Sequence, residues 1–93
     1  MREHAEDIIA VETFKKVMLS KLKENLEKPG WRSLSKQYLF FLLLQEVIEL
    51  YEALEITEMN KAKIQREAAD VANFAMMISD NMENVWSHYG VER

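Results

Sequence analysis

The stretch QEVIELYEALEITEMNKAKIQREAAD, residues 45–70, decides how this chain is read. It holds Glu46-Val47-Ile48-Glu49 near its start and Glu67-Ala68-Ala69-Asp70 at its end, two pairs of acids each spaced three residues apart. In a helix that spacing places both carboxylates of a pair on one face. An α-helix advances about 100° per residue. On that wheel Leu39, Leu42, Leu43, Leu50 and Ala53 fall within roughly 60° of Glu46. Ile64, Val71, Phe74 and Ile78 surround Glu67 in the same way. Glu46 and Glu67 therefore sit in the middle of apolar stripes, with Glu49 and Asp70 at the edges, offset to the same side.

A carboxylate on the core side of a helix is costly unless something pairs it. Two unit charges 4 Å apart repel by about 4 kcal/mol at an effective dielectric of 20. Four acids converging from two helices must shift their pKa values, move apart or bind a cation. With no Cys or His among them, an all-oxygen set suits a hard divalent ion, Mg²⁺ before Mn²⁺ or Ca²⁺. The bland alternative is four solvated or ion-paired surface acids. Centring both pairs in apolar stripes favours the metal.

Working outward, 93 residues make one small domain, residues 1–93, with a limited core, so self-association is expected. The chain is 48% hydrophobic and 30% charged, a globular balance. Val and Ile are scattered without period-2 runs, which predicts an all-α fold. A net charge of −4 argues against a nucleic-acid binder. The absence of Cys excludes a disulfide framework and a thiolate metal site, and fits a cytoplasmic protein. The charged start Met1–Asp7 is unlike a signal peptide. The longest apolar run, Tyr38–Leu44, is far short of the roughly 20 residues a membrane span needs. A helix apolar on every side for two turns is buried on more than one side. In a three-helix chain that implies a partner subunit.

Three helices are expected. The first runs from about Ala5 to Glu27 on Val11, Phe14, Val17, Met18, Leu22 and Leu26, and Pro29-Gly30 ends it. The second starts after Ser33 or Ser35 as cap and reaches about Ile56. Thr57 or Asn60 caps a third from about Ala62 to Ser87. A short connection makes the last two an antiparallel hairpin. Their acid pairs then match in height within about two turns.

Further chemistry gathers near the end of the first helix. Lys21, Asn25 and Lys28 continue the face of Phe14 and Met18, and Trp31 follows the turn. Two cations, an amide and an indole suit phosphates, a sugar or base edge, and a base. Equally, lysines near a helix C-terminus favour the dipole, and the indole plugs an apolar gap. Lys63, one turn before Glu67, is placed to meet a phosphate or to pair with Glu67. Asn73, three residues past Asp70 and off the apolar stripe, is placed to meet a ligand or a neighbouring subunit. Met59, Met76, Met77, Met82, Trp86 and Tyr89 read as packing, and His4 and His88 as surface residues. Neither a Gly-rich phosphate loop nor a Ser/His/Asp set is present.

ExxE at Glu46–Glu49, 17 residues, then ExxD at Glu67–Asp70 resembles the MazG-type signature of the all-α NTP pyrophosphatases. Gln45 stands where that family's leading Glu usually is, which puts a secondary role of that acid in doubt. Lys21-Leu22, Asn25, Lys28 and Gly30-Trp31 are similar to the KL…N…K…GW pattern of small, phage-type members. Asp70-Val71-Ala72-Asn73-Phe74-Ala75-Met76-Met77 resembles their third helix, so the likeness covers roughly residues 14 to 82. It implies cleavage of a nucleoside triphosphate to the monophosphate and pyrophosphate, with dATP and dGTP among the substrates of that group. It implies that Glu46, Glu49, Glu67 and Asp70 hold Mg²⁺, with Mn²⁺ able to substitute, and carry the catalysis. Lys21, Lys28 and Lys63 would meet phosphates, Asn25 and Asn73 sugar or base, and Trp31 the base. An intersubunit four-helix core in a homodimer or homotetramer is implied too, with no nucleic-acid or membrane partner. The alternatives are a dUTP/dCTP-type or phosphoribosyl-ATP pyrophosphohydrolase, or a non-catalytic helical module.

Overall fold

In a computed structural model, residues 4–26, 30–56 and 60–88 are described, with side chains through residue 83. All regular structure among them is helical: α1 His4–Lys23, α2 Lys36–Glu55 and α3 Lys61–His88, with a single 3₁₀ turn at Trp31–Ser33 before α2. No helix is long and apolar enough to cross a membrane among the described residues.

The helix starts follow from side-chain chemistry. Ser35 caps α2: its Oγ accepts the Tyr38 N–H at 3.1 Å, one of the donors that the first turn leaves without a partner. Asn60 does the same for α3, its Oδ1 accepting the Lys63 N–H at 3.1 Å. Of the alternatives in each pair, Ser35 and Asn60 are therefore the caps; Thr57 lies outside the described residues. The end of α1 departs from expectation. The helix stops at Lys23 rather than near Glu27. The Glu24 and Asn25 N–H groups turn back to the Lys21 and Leu22 carbonyls, tightening the last turn. The Asn25 amide donates to the Lys21 carbonyl at 3.2 Å, the local competition by which Asn ends helices. Gly30 has an extended backbone at φ −67° and is not the C-terminal residue of that turn; Pro29 lies outside the described residues.

The longest helix, α3, is the one against which both others pack. Met18 meets Asn73, Lys21 meets Asp70 and Glu24 meets Arg66, so α1 runs antiparallel to α3. Leu34 meets Asn81 while Glu46 meets Glu67, so α2 also runs antiparallel to α3. Being flanked twice, α3 has its most buried positions at Ala69, Asn73 and Asn81, while Val71, Phe74 and Ile78 are half-buried. On α2 the expected stripe holds: Leu39 and Ala53 are buried, and Leu42, Leu43, Glu46 and Leu50 are half-buried between them.

The two buried asparagines are the polar pins of this core. The Asn73 amide donates to the Met18 carbonyl at 3.1 Å and fixes α1 on α3. The Asn81 amide donates to the carbonyls of Trp31 and Leu34, at 3.0 and 3.1 Å, and fixes the 3₁₀ turn on α3. Beside it the Trp31 indole N–H donates to Asp80 at 2.9 Å, and Arg32 lies 4.7 Å above the Trp31 ring while pairing with Asp80 at 3.3 Å.

Candidate metal centre

Helix α2 supplies Glu46 and Glu49, and α3 supplies Glu67 and Asp70. The antiparallel hairpin carries these acids to one level, as the spacing of the two pairs to the connection predicts. One carboxylate oxygen from each of Glu46, Glu49 and Glu67 lies within 4.8 Å of the others, a separation that a single cation can bridge. Glu46 is half-buried, Glu67 is half-buried and Glu49 is exposed, so the cluster has a closed side and an open mouth.

Electrostatics in the cluster are those of crowded, partly desolvated acids. The Glu46 carboxyl is pushed up from 4.5 to about 8, first by burial. A hydrogen bond shared with Glu49 and the charges of Glu49, Asp70 and Glu67 push the same way. Its Oε2 atom is buried with no hydrogen-bond partner among the described residues. Burial also raises the Asp70 carboxyl, against the pull of the Lys21 ammonium and with the charges of Glu67 and Glu49 adding to it.

A row of cations borders the acids. Lys21 Nζ lies 3.3 Å from Asp70 and 3.6 Å from Glu24. Lys63 Nζ lies 3.3 Å from Glu67. Arg66 of α3 pairs with Glu24, in the turn just after α1. Hydrogen bonding to Arg66 leads the effects that lower the Glu24 carboxyl, and the same bond raises the Arg66 guanidinium.

Other residues singled out in the sequence fall elsewhere. Asn25 is exposed and occupied with the end of α1. Asn73, expected off the core to meet a ligand or subunit, is instead buried between α1 and α3, because α3 has two packed sides rather than one. Trp31 is bound to Asp80, ten residues beyond Asp70 and hence about 15 Å along α3; it is not brought to the acids. Lys28, Met59 and Tyr89, with the side chains of Trp86 and His88, lie outside the described residues.

Sequence reasoning passed over Arg66 and Glu24. Arg66 directly precedes Glu67, and Glu24 follows Lys21 by three. Charge complementarity between those two segments was the available signal. It needed the antiparallel register of α1 on α3 to become readable.

The chain was compared with protein-family models, with curated proteins and with solved structures, and none of them matches it.

Proposed function

We propose that this chain is a divalent-cation-dependent nucleoside triphosphate pyrophosphohydrolase of the MazG-like kind, acting on purine deoxynucleotides. The observation that carries the reading is the convergence of Glu46, Glu49 and Glu67 from two helices onto one point, with a buried Glu46 oxygen that has no partner among the described residues. An oxygen-only set of this kind matches Mg²⁺ or Mn²⁺. The MazG-like resemblance of the two acid motifs supplies the reaction class.

In this reading Glu46, Glu49, Glu67 and Asp70 hold the cation. When bound, it neutralises triphosphate charge and lowers the pKa of a coordinated water. Attack of a water on the α-phosphorus would form one P–O bond and break the α–β anhydride, and the four acids would hold the cation that supports it. The products would be the monophosphate and pyrophosphate, with the water proton passing to a carboxylate of the cluster. Lys21 and Lys63, each 3.3 Å from an acid, exchange those partners for phosphate oxygens once the acids are neutralised. Arg66 joins them from the same face of α3. Of the remaining contacts that the resemblance implies, Asn73 is held on the Met18 carbonyl and Trp31 on Asp80, so this reading keeps Lys28 and Asn25 for the nucleotide, with an intersubunit four-helix core in a homodimer or homotetramer.

The test is a panel of ribo- and deoxynucleoside triphosphates with Mg²⁺, scored for pyrophosphate release. Release from dATP and dGTP is expected. Release confined to dUTP and dCTP or to phosphoribosyl-ATP moves the chain to the alternative substrate classes. A folded protein that releases pyrophosphate from none of them ends the enzyme reading. One observation favours the second reading, a non-catalytic helical module: Glu67 and Asp70 already have lysine partners. That reading predicts that EDTA and Mg²⁺ leave thermal stability unchanged.

A further inference from the structure

Where α1 ends against α3, four side chains form a chain of alternating charge. Asp70 Oδ2 lies 3.3 Å from Lys21 Nζ, and Lys21 Nζ lies 3.6 Å from Glu24 Oε1. The other Glu24 oxygen, Oε2, accepts from the Arg66 guanidinium. One carboxylate thus sits between a lysine and an arginine, with one oxygen turned to each.

The cations and the anion are not held alike. Arg66 lies within α3, directly before Glu67. Lys21 belongs to the last turn of α1, and its side chain is only 18% exposed. Burial of its stem restricts where the ammonium can go. Glu24 lies beyond the last residue of α1, in a turn closed by its own N–H on the Lys21 carbonyl at 3.2 Å. Its side chain is 46% exposed, and its partners among the described residues are Lys21 and Arg66. Rotation about its own side-chain bonds is enough to vacate the position, while Lys21 and Arg66 remain on their helices.

A lysine and an arginine placed around a carboxylate are equally placed around a phosphate. The guanidinium fork fits both groups, and phosphate carries the larger charge. The position borders the acids, since Lys21 also pairs with Asp70 and Arg66 is next in the chain to Glu67.

We propose that Glu24 is an internal occupant of a phosphate seat made by Lys21 and Arg66, and that it has to swing out before the terminal phosphates of a substrate can enter. The inference rests on the nucleoside triphosphate reading for its ligand, and adds to it a contact that opposes binding. The return of Glu24 then favours departure of pyrophosphate after cleavage. A different role for the same carboxylate, positioning Lys21 and Arg66 for the ligand, has the opposite sign: removing it would weaken binding.

Inorganic pyrophosphate is the probe, titrated calorimetrically in excess Mg²⁺ into wild type and variants whose fold is checked by circular dichroism. An exposed ion pair is worth a few-fold at most, so Glu24→Gln should tighten pyrophosphate by about three- to tenfold. Glu12→Gln removes the same charge from an exposed pair with Lys15, elsewhere on α1, and should leave the affinity as it is. Adding Arg66→Gln to Glu24→Gln should abolish the gain. Unchanged or weaker binding by Glu24→Gln overturns the proposal, as does an equal gain in Glu12→Gln or a gain that survives in the double variant. Absence of pyrophosphate binding in both wild type and Glu24→Gln overturns it too. The titration involves no turnover, so the two readings fail separately. A wild type that releases pyrophosphate from dATP while Glu24→Gln gains nothing loses the internal occupant and keeps the hydrolase. A wild type inactive on every nucleotide, with the variants binding as stated, keeps the phosphate seat and loses the hydrolase.

Discussion

At Glu46 the fold holds a carboxyl away from the water that would keep it ionised. Its raised pKa, near 8, means that the folded chain retains a proton which the unfolded chain loses near 4.5. Between those values the folded state binds more protons, so stability falls as pH rises through that window. Asp70 shifts in the same direction, whereas the lowered Glu24 carboxyl belongs to an exposed ion pair and weighs little. Thermal denaturation in EDTA should therefore show a melting temperature that drops between about pH 5 and pH 8. Glu46→Gln should flatten that slope and raise the melting temperature at pH 8 by a few degrees. An unchanged profile in the variant would show that Glu46 titrates normally. Glu67→Gln, which keeps the shape and removes a charge, should abolish pyrophosphate release while leaving the sedimentation profile unchanged. Loss of the oligomer instead would give Glu67 a structural role. Much at this scale was legible in the sequence: an acid flanked by Leu39, Leu42, Leu43 and Leu50 has to face a core. Asn73 was not, because its burial depends on α1 taking a second side of α3.

At the scale of the element, two short polar side chains set where helices begin. Ser35→Ala and Asn60→Ala each remove a cap and should cost about 1 kcal/mol in a urea titration. Asn81 has a larger task. Its amide holds two backbone carbonyls, of Trp31 and Leu34, from a buried position on α3. Asn81→Ala would take this donor from the Leu34 carbonyl and leave the Trp31 carbonyl with only the Leu34 N–H, and should cost about 1–3 kcal/mol. It should also raise hydrogen exchange at the start of α2, where the 3₁₀ turn loses its anchor. No change in exchange there would show that Trp31 and Asp80 suffice. Helix identity and the two caps were readable from periodicity and from Ser and Asn at segment starts. The end of α1 was not, since Pro29-Gly30 drew the boundary downstream while Asn25 closes the helix by a side-chain bond to Lys21. Trp31 was also misplaced by sequence order: its closeness to Lys28 in the chain says nothing of Asp80, 49 residues away.

The whole molecule is a central helix with a partner on either side, and both kinds of incompleteness follow from that plan. Three helices leave one of them, α2, apolar on a face that nothing among the described residues covers. The hairpin of α2 and α3 likewise brings together more acids than Lys21 and Lys63 neutralise, with a Glu46 oxygen buried and without a partner among the described residues. The proposed hard cation would answer the second. The cation is the claim on which the functional reading depends. Calorimetric titration of Mn²⁺ and Mg²⁺ into the metal-free wild type and Glu67→Gln at pH 7 tests it most directly. Saturable binding is predicted, with proton release from Glu46 seen as a dependence of the heat on buffer ionisation, and with both effects lost in the variant. Absence of binding to the folded wild type, or equal binding by the two proteins, would contradict it.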